Sequence, residues 1–179
     1  MSEVDRKLTL EEVAALVCAT LDRHGVSVVL SGGSVVSIYA SDEYVSFDLD
    51  FVRTGLAAKV DAAMQELGFE KKGRHWTHPR TDYWVEFLAG PVAVGDEVVT
   101  EFAERRTPHG VLRRLAPTEC VMDRLVNYFH KGDLECLDQA VVVAQRERKQ
   151  VDLERIEAWS RGERAHEKFQ EFKRRLRVR

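Results

Sequence analysis

The chain has 179 residues, 44% of them apolar and 32% charged, and a formal net charge of −3. This length and composition allow one buried core and exclude collagen-like, low-complexity and largely disordered proteins. Three cysteines without a C-x-x-C pair argue against a disulfide framework or a cysteine zinc site. The amino terminus lacks an apolar signal core, and no apolar run reaches the roughly 18 residues of a membrane span. We therefore expect a cytoplasmic protein with no membrane partner.

The charge is unevenly distributed along the chain. Residues 161–179 contain eight Lys or Arg and three Glu, so the remainder is acidic. This basic end favours a solvated helix whose positive charges suit the negative pole of its own dipole. Contact with RNA phosphates stays open as the alternative.

The first predicted elements surround a glycine-rich segment. Residues 9–12 read Thr-Leu-Glu-Glu, a capping-box pattern, and apolar residues at helical spacing follow as far as Gly25. Residues 26–30 are short and β-branched, which predicts a buried strand. The Gly-Gly-Ser turn within residues 31–34 ends that strand, and residues 35–40 predict a short helix.

Two later segments predict strands that carry carboxylates. The region contains predicted strands or strand pieces at 46–52, 69–71, 75–78 and 82–88, and a helix at 56–67. Asp48 and Asp50 are two residues apart, so both side chains project from one face of their strand. Asp82 and Glu86 share a face of the last predicted strand by the same argument.

After residue 116 the pattern changes to about four helices. Gly132, Asp152 and Gly162 separate them, and Asp133 and Asp152 have the residue type of an N-cap. We therefore expect an α+β fold, with a small mixed sheet flanked by helices in residues 1–115 and a helical region in residues 116–179 that closes one side of a cleft.

The segment from the first strand to Asp50 predicts phosphate and metal binding. Two convergent carboxylates need a cation, and hard oxygen ligands favour Mg²⁺ that shares its coordination shell with substrate phosphates. A glycine-rich turn before a helix exposes backbone N–H groups that bind phosphate. Neither the glycine turn nor the carboxylate pair is a specific signal by itself, because Gly-Gly-Ser is most often a simple turn and an Asp-x-Asp pair is most often solvated.

Together these residues resemble the signature of the DNA polymerase β-like nucleotidyltransferase superfamily. Gly32, Gly33 and Ser34 precede Asp48-x-Asp50 by a spacer of the superfamily's usual length. The resemblance implies a nucleotidyltransferase fold, a nucleoside triphosphate bound at the glycine turn, and Mg²⁺ or Mn²⁺ held by Asp48, Asp50 and a third carboxylate. Glu86 is the first candidate for that third ligand and Asp82 the second.

The helical region resembles the AbiEii-type nucleotidyltransferases, the toxins of bacterial toxin–antitoxin pairs. Arg124-Leu125, Lys131 and Asp138 match a Lys-Leu-(x)5-Arg motif and its following Asp, with both basic identities exchanged. The resemblance implies that Arg124 contacts nucleotide phosphates, that Lys131 and Asp138 contribute to nucleotide binding, and that an antitoxin-like partner exists. The alternative for Arg124 is an ordinary helix-surface ion pair.

The implied reaction transfers a nucleoside monophosphate from a nucleoside triphosphate to an acceptor hydroxyl. The acceptor is RNA, tRNA or protein, or alternatively a small antibiotic-like molecule; a non-catalytic binding protein of the same fold is the rival from another class. The basic run Lys71-Lys72-Gly-Arg74 with Trp76 either grips a polynucleotide or forms a charged hairpin. His75 and His78 are interpreted as strand or loop histidines, because no further ligand lies at metal spacing.

Overall fold

In the computed structural model, which describes residues 4–40 and 43–178, three helices and nine strands precede residue 116 and helices alone follow within the described residues. The helices are α1 (Leu10–Arg23), α2 (Gly32–Tyr39), α3 (Ala57–Glu66), α4 (Pro117–Lys131), α5 (Leu134–Arg146), α6 (Leu153–Gly162) and α7 (His166–Val178). The strands are β1 (Ser27–Ser31), β2 (Asp48–Thr54), β3 (Glu70–Lys72), β4 (His75–Thr77), β5 (Trp84–Ala89), β6 (Ala93–Val94), β7 (Glu97–Val98), β8 (Ala103–Thr107) and β9 (Gly110–Arg114). Arg179, counted above in the basic end, lies outside the described residues.

A seven-stranded mixed sheet places the acidic strand β2 at its centre. The strand order is β3-β4-β5-β2-β1-β9-β8, and β6 and β7 form a separate hairpin. β2 is antiparallel to β1 and parallel to β5. This mixed sheet with flanking helices confirms the predicted fold class.

Alternation along β2 separates the two faces of the sheet. Leu49 and Phe51 are fully buried, whereas Asp48 and Asp50 point to the other face and are partly exposed. α1 packs against β1, β9 and α3 and helps to cover the apolar side. The acidic side chains therefore stand outside the core, on strands that the core holds rigidly.

The four predicted helices after residue 116 are present, with the predicted caps. Asp133 and Asp152 accept hydrogen bonds from the backbone N–H groups of Cys136 and Arg155. Gly132 ends α4 at φ 71°, a left-handed conformation that favours glycine. Helix α7 buries Phe169 and Phe172, so the basic end of the chain is an amphipathic helix packed on the body.

Two local predictions were wrong in their detail, and four strands were not predicted. α2 begins at Gly32, so the Gly-Gly-Ser segment forms the first helical turn and not a loop before it. β5 begins at Trp84, which leaves Asp82 outside the strand and exposed. Strands β6 to β9 were not predicted, because β8 has three consecutive charged residues, Glu104 to Arg106, that hide any alternation. No helix in the described ranges is long and apolar enough to cross a membrane.

Candidate active site

Three carboxylates come together on the exposed face of neighbouring strands, as the sequence predicts. In the register of β2 with β5, Asp50 lies opposite Glu86 and Asp48 lies opposite Trp84. On the other side of β2, Asp50 lies opposite Ser31, the residue before α2. We call Asp48, Asp50 and Glu86, with Gly32 and Arg124 described below, the carboxylate site.

In the carboxylate site, burial and the neighbouring negative charges disfavour the ionised forms of Asp48 and Asp50. Burial, followed by the charges of Asp48 and Glu86, raises the pKa of Asp50 to about 6. Burial also raises the pKa of Asp48, and the nearby Trp84 indole, His75 and Arg74 only partly oppose this. Within the described residues the buried Oδ1 of Asp48 has no hydrogen-bond partner. Buried carboxylate oxygens are normally paired, so this set of atoms is suited to a cation.

Glycine is required where α2 approaches Asp50. Gly32 has φ +72°, and a Cβ at this position would lie 2.8 Å from Oδ2 of Asp50. At Gly33 a Cβ would lie 3.2 Å from the hydroxyl of Tyr44. The first turn of α2 therefore lies directly against the Asp50 carboxylate, closer than a side chain would allow.

The amino end of α2 offers backbone N–H groups, but the Ser34 hydroxyl is already engaged. Ser34 is buried and donates to the Ser31 carbonyl at 2.9 Å. Ser31, the N-cap, makes no side-chain capping bond, and the first turn contains no acidic residue. The predicted phosphate-binding turn is thus a helix amino terminus with free donors beside the carboxylates.

Glu86 has two basic neighbours that the sequence argument did not identify. Its side chain is 15% exposed and lies 3.4 Å from Nε of Arg74 and 3.5 Å from Nδ1 of His75. His75 is on β4, opposite Glu86 in the adjacent strand. Two basic groups therefore lie beside Glu86, so its partial burial does not by itself require a metal, and its role as a third metal ligand stays a prediction.

Arg124 forms the wall opposite the strands. Its guanidinium donates to Oδ2 of Asp123 at 2.5 Å and to Oε1 of Gln139 at 3.4 Å. Burial is the largest influence and lowers its pKa, but the charge and hydrogen bond of Asp123, together with Cys120 and Cys136, outweigh burial and the net shift is upward. Burial raises the pKa of Asp50, and the positive charge of Arg124 partly opposes this by lowering it. Arg124 is therefore both a paired helix residue and a cation that acts on the carboxylate site.

The two other residues of the predicted helical motif lie elsewhere. Lys131 is the exposed last residue of α4 and donates to Asn127. Asp138 is 54% exposed and accepts from Arg175 of α7 at 2.8 Å. Gln139, the next residue, faces Arg124 instead. The geometry therefore does not bring Lys131 or Asp138 to the carboxylates.

Residues that the sequence did not single out complete the surroundings. The pKa of Tyr44 is raised by burial and by the charge of Glu135, while Gln139 hydrogen-bonds its hydroxyl. Asp123, Glu135 and Gln139 lie on α4 and α5, far from β2 in sequence. No local motif marks them, because only the packing of these helices brings them near the strands.

The residues present fit a divalent cation that takes further ligands from a substrate. In the described part of the chain, no three His, Cys, Asp or Glu side chains are arranged as a ready-made metal site. Asp48 nevertheless has an orphan oxygen, and burial together with like charges raises the pKa of Asp50. Mg²⁺ typically binds one or two carboxylates and completes its shell with phosphates and water.

Comparison with known proteins agrees with this fold. An antigenic nucleotidyltransferase-like protein from Paracoccidioides brasiliensis is 13% identical, covers 75% of this chain and 74% of its own, and superposes with a TM-score of 0.56. The antibiotic-resistance factor ANT(2'')-Ia is 14% identical over 90% of this chain and 96% of its own, with a TM-score of 0.53.

A crystal structure of ANT(2'')-Ia in complex with adenylyl-2''-tobramycin is also similar, at 11% identity over 87% of this chain and 93% of its own and a TM-score of 0.51. No protein-family model and no curated protein sequence matches the chain. At these identities the likeness establishes architecture alone: the chain has the nucleotidyltransferase fold.

Proposed function

We propose that this chain is a metal-dependent nucleotidyltransferase that moves a nucleoside monophosphate from a nucleoside triphosphate to an acceptor hydroxyl. One observation carries the proposal: Asp50, which shares a strand face with Asp48, lies against the uncapped amino end of α2, at a glycine where no Cβ fits. Carboxylates destabilise one another at such a place unless a cation joins them. A polyphosphate with its metal ion supplies both the cation and the anion that the helix end binds.

The chain's own residues divide the work of the proposed reaction. Asp48 and Asp50 would hold Mg²⁺ or Mn²⁺, which supplies charge neutralisation on the phosphates and activation of the acceptor hydroxyl. The backbone N–H groups at Gly32 and Gly33 bind the β and γ phosphates. The guanidinium of Arg124 adds positive charge on the opposite wall. Catalysis is then mainly positioning and electrostatic stabilisation.

In the transfer step the acceptor oxygen forms a bond to the α-phosphorus while the bond from that phosphorus to the bridging oxygen breaks. Pyrophosphate leaves with the bonding electrons, and the acceptor's proton passes to a carboxylate or to water. Glu86 lies on the side of Asp50 away from α2. That placement suits contact with the acceptor and not with the triphosphate.

The basic end of the chain contributes little to a polynucleotide track. Three of its cations are paired within the chain: Lys173 with Glu157, Arg174 with Glu171, and Arg175 with Asp138 and Glu171. These internal pairs support the interpretation of α7 as a structural helix. A polynucleotide acceptor would therefore depend on the cluster around Lys71.

A small-molecule acceptor is the second candidate. The observation that favours it is the likeness over nearly the whole chain to ANT(2'')-Ia, which has been crystallised in complex with an adenylylated tobramycin.

A toxin role with an antitoxin-like partner rests only on the Arg124 motif, and the placement of Asp138 against α7 does not strengthen it.

Calorimetry tests the proposal directly. We expect Mg²⁺ alone to bind weakly, ATP alone to bind weakly, and the two together to bind tightly, because neither completes the site by itself. Asp48→Asn should abolish the joint effect, whereas Asp61→Asn, which changes the same charge on α3, should keep it. Tight metal binding without nucleotide, or nucleotide binding indifferent to metal, would contradict the proposal.

A further inference from the structure

The loop between α2 and β2 brings a tyrosine hydroxyl to the amino end of α2. Tyr44 donates its backbone N–H to the carbonyl of Ala40 at 3.0 Å, and its own carbonyl accepts from the hydroxyl of Ser37 at 3.2 Å. These two bonds hold its backbone at the carboxyl end of α2. Its side chain reaches back to the first turn, where a Cβ at Gly33 would lie 3.2 Å from the Tyr44 hydroxyl oxygen.

The hydrogen bonding of this hydroxyl leaves its proton free. Burial raises the pKa of Tyr44, and a hydrogen bond with Gln139 opposes this. Such a bond lowers the pKa of a phenol when it is donated to the phenol oxygen, so Gln139 is the donor. Among the residues that the structure describes, no group accepts the proton of this hydroxyl. A hydroxyl both donates and accepts, so Tyr44 can still donate to a ligand.

Two neighbours fix the amide of the buried Gln139 in the orientation that this requires. Its Oε1 accepts from Nη1 of Arg124 at 3.4 Å, and its Nε2 donates to Oε1 of Glu135 at 3.2 Å. A primary amide has two N–H donors, so one remains for the Tyr44 hydroxyl. Arg124 also pairs with Asp123 at 2.5 Å. Both nearby acids therefore have partners within the chain and do not compete for the tyrosine proton.

The position of the hydroxyl determines which acceptor suits it. The first turn of α2 contains no acidic residue, and its backbone N–H groups favour an anion. The guanidinium of Arg124 acts electrostatically on both Tyr44 and Asp50, so it adds positive charge in the same place. A hydrogen bond from a hydroxyl to an ionised oxygen is about twice as strong as one between neutral groups. A phosphate oxygen is therefore the acceptor that fits.

We infer that Tyr44 is a further nucleotide-binding residue, whose hydroxyl donates to the β or γ phosphate and so favours triphosphate over monophosphate. The inference rests on the proposed function, because that proposal places these phosphates at the first turn of α2. Asp48 and Asp50 would act on the nucleotide through the metal, whereas Tyr44 contacts it directly. The number of phosphates that is recognised therefore depends on a different residue from metal dependence.

Calorimetry with a series of nucleotides tests the inference. ATP, ADP and AMP are titrated in the presence of Mg²⁺ into wild type and into Tyr44→Phe, which keeps the ring and removes only the hydroxyl. We expect the variant to bind ATP about tenfold more weakly, as the loss of one hydrogen bond to a charged group predicts. AMP binding should stay unchanged, because AMP has no β or γ phosphate. A loss shared by ADP assigns the contact to the β phosphate, and a loss confined to ATP assigns it to the γ phosphate.

The matched control is Tyr83→Phe, which removes the same hydroxyl from a tyrosine whose ring stacks on Phe47. Tyr83 lies just before β5, on the side of β2 away from α2. This control should bind all three nucleotides as wild type does. A merely structural role for Tyr44 predicts instead a lower unfolding temperature of Tyr44→Phe and an equal loss of ATP, ADP and AMP binding. That result, or ATP binding equal to wild type, would overturn the inference.

Inorganic tripolyphosphate with Mg²⁺ separates the phosphate chain from the nucleoside. We expect Tyr44→Phe to weaken its binding by about the same factor as that of ATP, because both present β and γ phosphates to the first turn of α2. If Tyr44→Phe weakens ATP binding but not tripolyphosphate binding, the hydroxyl contacts the base or the ribose, and the assignment to phosphate is wrong.

The proposed function is judged by a different measurement, the joint binding of Mg²⁺ and ATP and its loss in Asp48→Asn. If joint binding is found and Tyr44→Phe leaves the nucleotide series unchanged, only the inference about Tyr44 fails. If wild type shows no joint binding, both fail, because the triphosphate site on which Tyr44 depends does not exist.

Discussion

The carboxylate site and the pair of helices α6 and α7 are both rich in charged side chains. They differ in whether acids and bases are paired within the chain. On α6 and α7 acids and bases meet in pairs, such as Glu157 with Lys173 at 3.2 Å. At the carboxylate site Asp48 and Asp50 share a face, where Arg74, His75 and Arg124 only partly oppose the burial that raises both pKa values. Charge that is paired within the chain stabilises the fold, whereas charge left unpaired requires something from outside.

The comparison predicts its largest effect for the unpaired acids. Asp48→Asn and Asp50→Asn should each reduce nucleotidyl transfer by at least about 10³-fold, because the metal loses a charged ligand. Both variants should fold, since each removes a like-charge repulsion. Transfer of labelled nucleotide, with thermal unfolding on the same samples, checks both statements. A variant that unfolds at clearly lower temperature without metal would make these carboxylates structural.

The next largest effect is expected where glycine meets Asp50. Gly32→Ala places a Cβ 2.8 Å from Oδ2 of Asp50 in a left-handed conformation. We expect a loss of about 2 kcal/mol or more in unfolding free energy together with loss of transfer.

The matched control is Gly73→Ala, which has φ +64° but no atom within 4 Å of its Cβ. Only the conformational cost remains there, about 1 kcal/mol. Denaturant unfolding of both variants measures the difference. Equal losses of stability in the two variants, with transfer retained by Gly32→Ala, would mean that neither folding nor transfer requires α2 to lie this close to Asp50.

A smaller effect should appear in the pH dependence of stability. The pKa of Asp50 rises from 3.8 to about 6 on folding. This carboxyl therefore contributes stability below about pH 3.8 and loses it as pH rises through 6. In metal-free buffer Asp50→Asn should match wild type at about pH 4 and exceed it at about pH 8 by roughly 1–2 kcal/mol, after allowance for partial solvent screening. If the unfolding free energies of the two proteins change with pH in parallel, the pKa of Asp50 is not raised by folding.

The smallest effect is expected at the paired end of the molecule. Asp138→Asn removes an exposed ion pair with Arg175, which is worth less than about 1 kcal/mol. Transfer should remain within about twofold of wild type, because Asp138 is turned toward α7. A rise in the KM for nucleoside triphosphate would instead support the nucleotide-binding role that the sequence motif implies for Asp138.

The sequence predicted those parts of the site that depend on short-range pattern. Period-two alternation placed Asp48 and Asp50 on one face, and an apolar strand before two glycines located the start of α2 to within three residues. Glu86 was named because the superfamily resemblance implies a third carboxylate on a later strand, and the alternation in residues 82–88 indicated where that strand lies. Local periodicity is sufficient wherever one element determines the direction of a side chain.

Long-range contacts were beyond such reasoning. Nothing near Glu86 in sequence indicates that Arg74 and His75 lie beside it, since β4 reaches it only through sheet pairing. Gln139 meets Arg124 because α5 packs on α4, and no spacing rule encodes that contact. The strands after residue 92 were missed for a local reason: β6 and β7 have two residues each, and the charged run in β8 hides any apolar alternation.

The parallel pairing of β9 with β1 also determines the order in which the site can assemble. Leu115 donates its backbone N–H to Leu30 at 3.0 Å, and the Tyr39 hydroxyl donates to the Leu115 carbonyl at 2.9 Å. These contacts join residues more than 75 positions apart, immediately before α4. Such closures are slow steps in folding because the loop entropy is lost before the contacts form. We therefore expect β2, with Asp48 and Asp50, to pair with β1 before β9 joins the sheet and α4 brings Arg124 to the carboxylates.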